Sequence, residues 1–148
     1  MATQNDILDQ IDDAFVAYLK ARPLSDIPPL NVFPGHYKEG DDMITPHVVV
    51  EATDAAENGA CNSGNWTAQV SITVASQADD TPRSQHVARC NAVFALISAS
   101  DAETLISASL DVFTLFIIRE PRQSKQRVGR QWQNTLTVEI ECCGGDVS

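Results

Sequence analysis

Trp66-Thr67-Ala68-Gln69-Val70-Ser71-Ile72-Thr73-Val74-Ala75-Ser76 alternates cleanly along its length. Trp66, Ala68, Val70, Ile72 and Val74 face one way, while Thr67, Gln69, Ser71 and Thr73 face the other. A period of two marks a β-strand, because successive side chains leave opposite sides of the sheet. The apolar row needs burial and the hydroxyl and amide row does not, so the stretch predicts a sheet with one covered face. Gln131 to Cys142 repeats the pattern, with Trp132, Leu136, Val138 and Ile140 inward and Thr135, Thr137, Glu139 and Glu141 outward.

Working outward, Ile7, Leu8, Ile11, Phe15, Tyr18 and Leu19 recur at helical spacing, with Asp6, Asp9, Asp12 and Asp13 largely opposite. They predict an amphipathic helix from about Asn5 to Ala21, stopped by Pro23. The proline-rich run Ile27 to Gly35 reads as an extended edge segment ending in a turn. Pro46 to Ala52 is short and β-branched and predicts a strand; Thr53 to Asn65 reads as a polar loop. Thr81 as N-cap and Pro82 at the first helical position open a helix that should end near Ser98. It would place Val87, Cys90, Phe94 and Ile97 on one face. Asp101 to Ser107 adds a short helical turn, and Asp111 to Arg119, apolar on both faces, predicts a central strand. The expected whole is an α/β (α+β) fold in one domain, residues 1–148. Its mostly antiparallel sheet has about four to five strands, with helices packed on one face.

One segment departs from the rest in composition. Arg119, Arg122, Lys125, Arg127 and Arg130 are half of the ten basic residues, against Glu120 alone, so the segment carries a net charge of +4. The chain as a whole has a net charge of −10, which leaves −14 on the remainder. With Pro121 and Gly129 inside it, the segment reads as a flexible basic hairpin loop over about 119–130. Its five cations are the candidate partner-contact residues, suited to electrostatic docking on an acidic surface such as the body of another copy. A solvated hairpin tip is the plain alternative. Nucleic-acid contact ranks below both, because no aromatics interleave the charges and the acidic average repels phosphate.

No catalytic or cofactor signature emerges. There is no Gly-rich phosphate loop, no G-x-S-x-G elbow and no H-E-x-x-H spacing. His36, His47 and His86 are scattered and read as surface or packing residues. Cys61, Cys90, Cys142 and Cys143 form no C-x-x-C pair and read as free thiols, with Cys90 in the core rather than a nucleophile. Met1 to Gln10 lacks a basic region followed by an apolar run, and no 18 apolar residues run together, so neither a signal peptide nor a membrane span is expected. Trp66 and Trp132 each open a long alternating strand and are expected to seal the ends of the core. These features give an expectation of no enzyme, no cofactor and no metal, and of a function in assembly with other proteins.

Taken in order, the elements resemble the small tail-terminator or tail-completion (head–tail joining) proteins of long-tailed bacteriophages. The features that carry the resemblance begin with the helix Ile7 to Leu19, Leu30 to Gly35 and the strand Pro46 to Val50. They continue through Trp66 to Val74, the helix Pro82 to Ser98 and the last strand Trp132 to Val138. The resemblance covers nearly the whole chain and lies in pattern and order. It implies a structural virion protein that forms a ring, usually a homo-hexamer, at the top of the tail tube. Such a ring ends tube polymerisation and meets the head–neck connector proteins. Its partners would be itself, the tail tube protein and the connector, with DNA passing through the lumen without specific binding. It would form in the host cytoplasm and reside at the head–tail junction of the virion. A sibling neck or head-completion protein is the nearest alternative; a small ligand-binding or hydrolytic domain and a host-encoded adaptor are further ones.

Overall fold

The computed structural model describes residues 4–22, 27, 31–35, 46–57, 65–79, 81–107 and 113–144. Helix α1 (Gln4–Lys20) is followed by strands β1 (Val32–Pro34), β2 (His47–Glu57) and β3 (Asn65–Gln77). Helices α2 (Arg83–Ile97) and α3 (Ala102–Ser107) then lead to β4 (Phe113–Val128) and β5 (Gln131–Gly144). The five strands form one sheet in the order β1-β2-β3-β5-β4, with β1 parallel to β2 and all other pairs antiparallel. This is the expected α+β arrangement, with the helices on one face.

The alternation sets what is buried. Ala68, Val70, Ile72 and Val74 of β3 and Leu136, Val138 and Ile140 of β5 are at most 1% exposed, packed with Phe15 and Leu19 of α1 and Val93 and Ile97 of α2. Apart from Ala68, each of these side chains contributes about 1.5–3 kcal/mol through removal from water. Among the described residues no helix packs on the opposite face of the same strands. There Thr73 and Thr135 hydroxyls pair across the β3–β5 ladder at 2.9 Å, with Ser71 and Thr137 beside them at 3.5 Å.

Several expectations are corrected. β4 is an edge strand rather than a central one, and Pro121 within it suits that place, since a proline cannot donate to a second neighbour. The segment 119–130, read as a hairpin loop, runs as strand through Val128, and only Gly129-Arg130 turn the chain. Gly129, at φ 59°, supplies the left-handed residue that so tight a connection needs. Thr53 to Glu57 continues β2 instead of opening the polar loop; residues 58–64 lie outside the described residues. Pro82, rather than Thr81, is the N-cap of α2, because its carbonyl accepts the first helical bond, from His86. No side chain caps that end of the helix.

Three polar residues, Asp12, His86 and Arg89, turn inward. Asp12 is 3% exposed, and its Oδ1 accepts the Ala52 amide at 2.6 Å. On α2, Val87 is exposed, while His86 and Arg89 are buried with Cys90, Phe94 and Ile97.

Candidate functional site

Two polar constellations stand out, one sealed and one open. The sealed one joins α2 to β3 and β5. His86 is fully buried, with Nδ1 2.9 Å from Ser76 Oγ and Nε2 2.9 Å from Asn134 Oδ1. The Asn134 oxygen can only accept, so Nε2 carries the hydrogen and Nδ1 accepts from the Ser76 hydroxyl. Ser76 Oγ in turn accepts from Arg89 Nη1 at 3.0 Å. Burial holds the His86 pKa below its usual value, against the raising effect of the Asn134 bond, and Arg83 and Arg89 lower it further. The ring is therefore the neutral member of a satisfied chain of hydrogen bonds.

A serine beside a histidine invites a hydrolytic reading. Ser76 and His86 both lack solvent exposure, so a substrate cannot reach the hydroxyl in this arrangement. Arg89 also donates to the oxygen that would have to attack, which lowers its electron density. Cys90, likewise buried, has its thiol pushed up to about 11, chiefly by burial, and is a core residue rather than a nucleophile. Among the described residues no group of three or more His, Cys, Asp or Glu side chains could hold a metal ion, and no helix is long and apolar enough to cross a membrane.

The open constellation lies where the outer half of the β4–β5 hairpin meets the start of α2. Register decides its composition. Arg127 stands opposite Trp132 and Lys125 opposite Asn134, so these share the helix-covered side of the sheet. Arg122 stands opposite Thr137 and belongs to the other side. The Trp132 indole donates from Nε1 to the Thr81 carbonyl at 3.3 Å, which fixes the ring beneath the α2 N-terminus. Arg83 and Arg127 each hold a guanidinium carbon 5.0 Å from the centre of that ring. Arg83, Lys125, Gln126, Arg127 and Trp132 line a cleft of about 340 Å³.

The five cations singled out in the sequence are thus divided. Lys125 and Arg127 enter the cleft, Arg122 lies on the other side, and Arg130 makes an exposed pair with Asp79 at 3.3 Å. The Arg119 side chain lies outside the described residues. Arg83 joins the cleft from a distant part of the chain and was missed, as was the role of Trp132, expected only to seal the core. The register Arg127↔Trp132 was the available signal, once the hairpin was read as strand. Trp66 does pack against the core. No protein-family model matches the chain, and no curated protein matches it either.

Proposed function

We propose that this chain is a structural protomer that assembles into a ring ending a bacteriophage tail tube, at the head–tail junction, without catalysing a reaction. The observation that carries the reading is a basic edge hairpin on an otherwise acidic protomer. A closed ring needs two different, complementary surfaces on every copy, so that one copy's first surface meets the next copy's second. The hairpin, with its share of +4, and the remainder, with −14, form such a pair. An acidic lumen would let DNA slide through without holding it. The order of elements, close to that of the tail-terminator proteins, supports the same reading.

Tail tubes mixed with the protein and imaged by electron microscopy test it. A ring seated on one end of each tube, with elongation stopped there, is the expected result. Tubes that keep growing with bare ends would contradict it, and rings seated on the head's connector but never on tubes would favour a sibling neck protein.

A further inference from the structure

The cleft around Trp132 gathers positive charge. Two guanidinium groups share one indole, each 5.0 Å from its centre, and the Lys125 ammonium belongs to the same cleft. The ring's negative faces attract each cation, but they do not cancel the repulsion between them. Among the described residues no carboxylate pairs with Arg83, Lys125 or Arg127, although the chain has 20 acidic residues to 10 basic ones. The α2 N-terminus, which opens at Arg83, has neither a side-chain cap nor an acidic residue in its first turn. An anion entering here would relieve the repulsion and meet the positive end of the helix.

We propose that the cleft receives an acidic segment of a second copy of this chain, its carboxylates held between Arg83 and Arg127 with Lys125 alongside. This rests on the reading of the chain as a self-assembling protomer and names the contact that would join two copies. Charge complementarity selects the occupant: the cleft is cationic, while the rest of the chain is strongly acidic. Guanidinium groups grip carboxylates through two parallel hydrogen bonds, which gives the contact a fixed direction. The volume of about 340 Å³ accommodates more than one carboxylate, as a segment rather than a lone residue would provide. Stacking of the indole on a nucleic-acid base is disfavoured, because the guanidiniums already occupy positions over the ring.

The test uses the full chain with Trp66→Phe, so that Trp132 is the one remaining indole, in sedimentation velocity and fluorescence from low to high micromolar concentration. Association should shift the Trp132 emission and shield it from acrylamide quenching. Arg83→Gln with Arg127→Gln should weaken association roughly tenfold, as should moderate salt, with the melting temperature unchanged. If Trp66→Phe does not fold, the same pair of substitutions in the parent chain, read by sedimentation alone, still decides. A closed ring that forms equally well in the double variant would overturn the cleft contact while leaving the ring reading intact. Association that depends on the cleft but yields only open dimers would support the contact and count against the ring. Monomers throughout would overturn both, and Trp132 quenched by a short DNA duplex but not by self-association would assign the cleft to phosphate instead.

Discussion

Asp12 completes the edge of the sheet where the first strand leaves it. The Val50 carbonyl accepts from Gly35 on the β1 side, and alternation along β2 points the Ala52 amide the same way, beyond the end of β1. The Asp12 carboxylate, carried on α1, supplies the missing acceptor. Asp12→Ala should therefore cost about 2 kcal/mol in urea unfolding at neutral pH, because a buried amide loses its acceptor. Asp12→Asn should recover part of that loss, since an amide oxygen can still accept. His86 gives the second prediction. Its pKa is lower folded than unfolded, so between the folded value and about 6.5 the unfolded chain binds more protons. Stability should therefore be lost as pH falls below about 6.5 through that window, by at most about 1.4 kcal/mol per pH unit from this group. His86→Gln should flatten the slope of melting temperature against pH; an unchanged slope would show that His86 is not its source. Neither hydrogen-bonding role was legible in the sequence. Asp12 lies among acids that mark a solvated face, and His86 neighbours Val87, which a simple apolar count prefers for the core. Hydrogen-bond demand from distant backbone and side chains decided both, and that demand exists only once the sheet is assembled.

At the scale of elements, the β4–β5 hairpin matters most. Its turn depends on Gly129, where a Cβ would meet open space but the φ of 59° is one that L residues rarely adopt. Gly129→Ala should cost about 1 kcal/mol through backbone strain alone, measurable in chemical unfolding without other change. β4 is an edge, and two devices protect it. The Ile118 amide donates to Glu103 Oε2 of α3 at 2.7 Å, and cations occupy the outer half of the strand. Those cations carry the hairpin's expected role in assembly. Changing Arg122, Lys125 and Arg127 together to Ser should weaken assembly, most clearly at low salt, and leave the melting temperature of the protomer unaltered. A triple variant that assembles as well as the parent would reduce the hairpin to a solvated edge. The two alternating strands β3 and β5, α1 and α2 were readable from periodicity to within a residue or two. The hairpin was not, because Pro121, Gly129 and dense charge are shared by loops and by protected edge strands. Composition does not separate these two, while cross-strand pairing does. The cleft was illegible for a related reason, since Arg83 and Arg127 meet only through the fold.

At the scale of the whole molecule, the sheet is covered on one side and bears a polar ladder on the other. Thr73–Thr135 and Ser71–Thr137 satisfy one another across that ladder, so a neighbour could cover it without stranding their hydroxyls. The polar face, the basic edge and the acidic remainder together motivate the proposal of self-assembly. Its most direct test is the mass of the protein in solution, by analytical ultracentrifugation at high micromolar concentration in low and moderate salt. One closed oligomer several times the 16.1 kDa of the chain is expected, six copies if it follows the tail-terminator pattern, loosening as salt rises. A strictly monomeric species under all of these conditions would contradict it.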